Sequence, residues 1–585
     1  MTNEWSLDAL YKSYEDEAFV NDFKKLEEVI QDANAYADHL QDGSESETLT
    51  AILEKLEVYQ TLTMRLGEYI NLRQSTNTSD AQTVSLMNQL HQKCSNISKT
   101  MAKFNRYIAE VKDLDACIKE VPLLQEYEYL LRSTKEDAKY LLSDEVEEVL
   151  SKMDISGGSA WASLQEYLTS TVEVDYKGET ATLSQIRNMA YDSDPQVRKS
   201  AYEAELAAYA KIKDAVAFSL NNIKAQVNTE CDLRGFASPL DMTLHQSHMK
   251  RETLDAMLEA MSDYMPKFHA YLRRKAELLG YSNGLPWYEL FAPMGEDDHK
   301  YSVEEAKDYL LEHFRPFAKD MADMMETAFD DHWIDFFPRK GKVGGAFCAN
   351  LPFIKQSRVL TNYDGSLGDI VTLAHELGHA YHGMMIEDHR ILNTDYSMPV
   401  AETASTFNEN IIMNAAIDKA SGELKTALID NQLQDLAQTM CDIYSRFLFE
   451  KEVFDKRRTS FMFADELEAI MLKAQKEAYG DGLDPDFLHP YMWVCKSHYY
   501  SSGLSFYNFP YAFGSLFARG LVVKYQEEGE SFVEKYRQLL KATTVSSVED
   551  VAKIADIDLC DKAFWISSLK TCAARIDEFL KLTEK

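Results

Sequence analysis

The chain has 585 residues, 45% of them hydrophobic and 27% charged, with a formal net charge of −35. That length and core-forming content exclude a disordered chain and point to a large globular protein with more than one lobe. The acidic balance excludes a general nucleic-acid binder, which needs a basic face against phosphate; its simplest role is solubility.

The first residues, MTNEWSLDALYKSYEDEAF, have no basic opening and no apolar run, so they do not read as a secretory signal. No run of about 18 apolar residues follows, which predicts no membrane span and, by default, a cytoplasmic location. Residues 23–40 carry Phe23, Leu26, Val29, Ile30 and Ala33 at helical spacing. Residues 53–71 repeat the pattern with Leu53, Leu56, Val58, Tyr59, Leu62 and Leu66. The same periodicity predicts helices over 85–111, 124–131, 144–153 and 194–227. A break is expected at DISGGSAWASL (154–164), then a hairpin within 169–186 that turns at Lys177-Gly178. A nominal boundary at 190 separates an N-terminal helical lobe (1–190), hairpin included, from the remainder (191–585). A second β-like region covers PRKGKVGGAFCANL (338–351) and RVLTNY (358–363). The fold class is mainly α with a small sheet. Eight cysteines form no CxxC pair, so neither a disulfide framework nor a zinc knuckle is expected.

Next comes TLAHELGHAYH, residues 372–382. Asp364-Gly365 signals a turn, Ser366 and Asp369 form an S-x-x-D capping box, and Ile370, Leu373, Leu377 and Met384 follow at helical intervals. On that helix His375 and His379 project from one face, one turn apart. Two imidazoles so placed suit a zinc ion, and Glu376 beside them suits a general base that takes a proton from the attacking water. A third ligand is required. Downstream, DYSMPVAETASTFNENIIMNAAI reads as a helix with Ser397 as cap and Pro399 early. Glu402 and Glu409 lie two turns apart on one face, and Ala401, Ala404 and Ser405 are small enough for close approach. Glu402 is expected as the third ligand. Glu409 is expected behind it, orienting a histidine, and His382 in a supporting or structural place.

HELGHAYH followed by AETASTFNE resembles the M3 family of zinc peptidases, most closely its bacterial oligoendopeptidase F branch. The resemblance runs through WSLDALY (5–11), RGFASPLD (234–241), LPWYELFAP (285–293), GKVGGAFC (341–348) and SHYYSSGLSFYNFPYAFG (497–514). It implies a two-lobed helical shell around a deep substrate channel, with one Zn2+ per chain. It implies internal cleavage of short unstructured oligopeptides, since the channel excludes folded proteins. By matching the last segment, His498, Tyr507 and Tyr511 face the zinc from the opposite wall and stabilise an oxyanion. Phe509 stands where some relatives have tyrosine, and phenylalanine cannot donate a hydrogen bond. In GKVGGAFC, Gly344, Gly345 and Ala346 would offer main chain to an extended peptide.

Two alternatives stay open. A zinc carboxypeptidase of similar shell needs a cationic site for the C-terminal carboxylate, and no arginine stands out for it. A peptide carrier with structural zinc is opposed by Glu376 and by the lack of cysteine between Cys348 and Cys441. Oligomeric state is not set by the sequence.

Overall fold

The computed structural model describes residues 3–295 and 299–584. The long helices form where the periodicity places them, and their caps set their ends. Glu17–Tyr36 starts at Asp16, and Glu45–Thr76 starts at a Ser44/Glu47 capping box. Pro195–Arg234 opens with Asp194 as cap and stops at Gly235, whose φ of +82° is left-handed.

Three expectations need correction. Residues 85–111 form two helices, Ala81–Ser95 and Ser98–Glu110, because Ile97 turns into the core and Asn96 leaves the helix. Residues 124–131 divide at Tyr127, which is fully buried, into Pro122–Glu126 and Glu128–Asp137. The break at 154–164 narrows to Gly157, between Asp144–Ser156 and Gly158–Thr171. A Cβ on Gly158 would lie 2.4 Å from the Ser502 Cβ, so the second helix can begin there only because it begins with glycine.

The hairpin is β1 (Val174–Tyr176) and β2 (Glu179–Ala181), antiparallel, with Val174 opposite Ala181. Lys177 and Gly178 both have positive φ, +52° and +86°, as a two-residue hairpin turn requires. The three-stranded sheet contains β3 (Ile334–Asp335), β4 (Phe347–Leu351) and β5 (Gln356–Leu360) in the order β3-β5-β4. β5 is parallel to β3 and antiparallel to β4.

Two hydrophobic cores make the two lobes of a mainly helical shell. One is built from Leu10 to Leu131 and takes in Leu351 of β4. The other runs from Val174 to Phe579 and takes in Val359 of β5. The cores therefore divide between Leu131 and Val174, upstream of the nominal boundary at 190, and the hairpin packs with the second. The sheet is shared between them, and backbone bonds fasten the loop between β3 and β4 to the first lobe: Thr78 N donates to Gly341 O (2.8 Å) and Val343 N to Ser75 O (2.9 Å). All eight cysteines are free thiols. No helix among the described residues is long and apolar enough to cross a membrane.

Candidate metal centre

The histidine helix is Leu367–Ile386. Gly365 at φ +95° turns the chain into it, and Ser366 and Asp369 complete the expected capping box. Ile370, Leu373, Leu377 and Ala380 bury one face and aim the histidines at the facing helix. That neighbour is not one continuous helix, as its pattern suggested. Met398–Ala401 ends at Glu402, and Thr403–Lys419 resumes after it. Glu402 sits at the joint, with φ −91° and ψ 10°. There its carboxylate swings onto the histidines while its carbonyl still accepts from Thr406 N at 3.1 Å.

The approach depends on two glycines. A Cβ on Gly378, the glycine of HELGH, would stand 2.7 Å from Ala404 O and from Ser405 Cα. A Cβ on Gly514 would stand 3.1 Å from the Glu402 Cβ. Gly514 belongs to the tyrosine helix, Phe509–Glu528, which packs behind the joint.

Three ligand-type atoms meet. His375 Nε2 and His379 Nε2 are 3.2 Å apart, and Glu402 Oε2 lies 3.4 Å from the first and 3.3 Å from the second. A tetrahedral ion with ligands at about 2.1 Å has edges of about 3.4 Å, so this triangle fits one face of such a shell and leaves one vertex open. Glu376 lies beside it; its carboxylate and the two imidazoles fall within 4.8 Å of one another. Burial pushes the Glu376 carboxyl up against the pull of both imidazoles.

The surroundings hold each of these three groups in place. Glu409 Oε1 accepts from His375 Nδ1 at 2.7 Å, which turns Nε2 toward the triangle. Burial pulls the His375 imidazole down, but the Glu409 hydrogen bond and charge push it up to about 9. Burial raises the Glu402 carboxyl, but His379, with Ser405, holds it at about 2. Ser405 Oγ donates to Glu402 Oε2 at 2.7 Å, and Asn350 Nδ2 donates to His379 O at 3.2 Å. Gly378, Gly514, Ser405 and Asn350 were not singled out as site residues in the sequence. The small-residue run AETAS and the glycine within HELGH were the available signals.

The remaining expected residues divide. His382 is buried away from the triangle and stacks on Tyr396 at 4.3 Å. Thr543 gives its proton to Leu540 O (2.7 Å), so His382 Nε2 donates to Thr543 Oγ1 (2.8 Å). Burial drives its imidazole down to about 3. Tyr511 lines a cavity of about 370 Å3 together with His375, Glu402 and Glu409. His498 and Tyr507 stand behind it: His498 Nε2 is 3.2 Å from the Tyr511 hydroxyl, and the Tyr507 ring is 5.1 Å from His498. Phe509 is wholly buried in the core, so its missing hydroxyl leaves no gap in the cavity wall. Gly344 and Gly345 are exposed, and Ala346 leads directly into β4. Asn362 Nδ2 steadies this turn through Val343 O (3.0 Å) and Gly345 O (2.8 Å). β4 is the edge of its sheet, with β5 on one side only. Through Asp435 the cavity adjoins a chamber of about 670 Å3 walled by Tyr191, Tyr209, Trp287 and Lys496.

The sequence pattern of Peptidase family M3 matches residues 188–571. The chain belongs to peptidase family M3. The whole histidine–glutamate cluster and the tyrosine helix fall inside the matched region, and a second pattern, Oligopeptidase F, matches residues 109–173. Among M3 relatives, Oligopeptidase PepF of Bacillus subtilis is 23% identical over 99% of this chain and 87% of its own length. Group B oligopeptidase PepB of Streptococcus agalactiae is 23% identical over 100% of this chain and 97% of its own. The crystal structure of oligoendopeptidase-F from Enterococcus faecium superposes with a TM-score of 0.73 at 19% identity, covering 97% of this chain and 99% of that one. The expected helical shell is thus the fold of this M3 chain.

Proposed function

We propose that this M3 peptidase is a zinc-dependent endopeptidase for short, unstructured oligopeptides, with one Zn2+ per chain held by His375, His379 and Glu402. The observation that carries the reading is the 3.2–3.4 Å triangle of Nε2, Nε2 and Oε2 atoms with Glu376 beside it. When bound, the ion supplies Lewis acidity toward carbonyl and water oxygens.

The chain's own groups do the rest. Glu376 takes a proton from the attacking water and returns it to the leaving amine nitrogen; its burial suits a carboxylate that must hold that proton between steps. The Tyr511 hydroxyl, which desolvation and the neighbouring Tyr507 push above an already high phenol range, stays protonated and donates to the oxyanion. His498 fixes where that hydroxyl points, and burial with the charges of Arg446 and Lys496 holds its imidazole down at about 4, hence neutral. Tyr507 packs against both rings. Glu409 orients His375, and His382 anchors the histidine helix through Thr543. The free edge of β4, entered through Gly344, Gly345 and Ala346, would pair with an extended peptide through main-chain bonds and place little demand on its side chains. Eight free thiols suit a cytoplasmic setting.

The test is to incubate the protein with a panel of short peptides and one folded protein, with and without a chelator, and to map products by mass spectrometry. Internal cuts in the short peptides alone, lost on chelation, are expected. Single-residue trimming from the C-terminus would replace this reading with a carboxypeptidase.

A further inference from the structure

Among the described residues lining the cavity that holds His375 and Glu402, one is a lysine or arginine: Arg519. It lies on the tyrosine helix in register with Tyr511 and Ser515, each four residues apart, and all three line the cavity. The rotation of that helix is fixed on two sides. Gly514 backs onto Glu402, and a Cβ on Gly520 would lie 2.4 Å from the Phe564 ring. Arg519 is thus aimed by packing rather than by a partner. Its guanidinium makes no hydrogen bond or ion pair with a described residue, and its Nε is buried without one. Buried charged donors are ordinarily satisfied, so an unsatisfied one in a site calls for an explanation.

The surroundings give one. Asn410, Gln432 and Arg519 form a neck between this cavity and a second of about 350 Å3. Gln432 is buried, and its amide likewise bonds to no described residue. Asp435 is the nearby competitor for the guanidinium. Burial and then Glu409 push its carboxyl up to about 6 against the pull of the Arg519 charge, and the two groups stand beyond ion-pair distance. A guanidinium fork with an amide beside it matches a carboxylate, which accepts two parallel bonds.

We infer that Arg519 is a specificity-determining residue that binds a carboxylate of the peptide, either its C-terminus or an acidic side chain, and so fixes where the chain is cut. The inference rests on the peptidase reading for its consequence, but binding can be measured without turnover.

The experiment uses zinc-loaded Glu376→Gln protein and a labelled peptide in two matched pairs. One pair differs only in C-terminal acid against amide. The other, amidated throughout, differs only in Glu against Gln near that end. Removing the recognised carboxylate is expected to weaken Kd roughly ten- to hundred-fold, the scale of a charge-assisted pair. That difference should vanish when Arg519→Gln is added and survive in part with Arg519→Lys, zinc content being unchanged. The pair that responds tells a C-terminal carboxylate from a side chain. Equal binding within both pairs, or a difference that persists without Arg519, overturns the inference. Should Arg519→Gln not fold, equal binding within both pairs on the Arg519-containing protein still overturns it. If the unmodified chain cuts no peptide at all, the peptidase reading fails, while the binding pattern still decides the role of Arg519.

Discussion

In the proposed zinc site, Glu409 would act on the ion without touching it, through its hydrogen bond to His375. Against burial, its hydrogen bond and charge, with Glu376 and Glu402 adding to them, push the His375 imidazole up to about 9. An ion needs Nε2 free, so below that pH each ion bound must displace a proton, and zinc affinity should rise about tenfold per pH unit until the imidazole loses its proton unaided. Glu409→Gln should flatten this rise between pH 7 and 9 and weaken binding above pH 9 by about 10–100-fold, as read by competition with a coloured chelator. An unchanged slope would contradict the assignment. His375, Glu376 and His379 were legible because a spacing of four on a capped helix leaves their side chains little freedom. Which of Tyr507, Phe509 and Tyr511 lines the cavity was not. They fall where a loop becomes a helix, and only the packing of that helix turns Phe509 inward and Tyr511 outward.

At the scale of elements, the site is a contact between two helices that glycine makes possible. Gly378→Ala would gain helix propensity, but its methyl group meets main chain at 2.7 Å, where nothing can rotate away. Overpacking of that kind costs about 1–3 kcal/mol, and here it pushes Glu402 off the histidines. Lower thermal stability together with weaker zinc binding is expected; a variant with unchanged zinc affinity would show that the approach is not needed. The same contact explains what periodicity could not give. Helix interiors repeat and are readable, whereas the joints at Asn96-Ile97, Tyr127, Gly157 and Glu402 are set by partners far away in the chain. Glu402 follows from its chemistry and its distance from HELGH, and the small Ser405 from the AETAS run, whereas the joint at Glu402 does not, because Gly514, which packs behind it, lies far along the chain.

In the whole molecule, one small sheet belongs to both cores and also offers the free strand edge beside the site. Leu351 of β4 packs into the first lobe and Val359 of β5 into the second. A second tie is the Arg390 guanidinium on Glu57, with Nη2 to Oε2 at 2.8 Å. Burial raises the Glu57 carboxyl, but Arg390 and Tyr127 outweigh it and hold it below its usual range. A depressed folded pKa means that this stability is present above the ordinary carboxylate pKa and is lost as pH falls through the lower folded value. Glu57→Gln should therefore reduce thermal stability near neutral pH and leave less to lose on acidification, measured as unfolding midpoint against pH. A parallel, unshifted curve would remove the tie from the account. The two-lobed helical class was legible from amphipathic periodicity and from the motif resemblance, whereas the shared sheet was not, because its joining residues lie far apart in the chain, as in Thr78 with Gly341, 263 positions on.

The most direct measurement puts metal content and turnover in one sample of Glu376→Gln. The substitution keeps size and polarity and removes the base. Zinc is expected at one per chain, equal to the unmodified protein, with peptide cleavage reduced about 10²–10⁴-fold. Cleavage at the unmodified rate with zinc in place would contradict Glu376 as the base. Loss of zinc along with activity would make it part of the metal site instead.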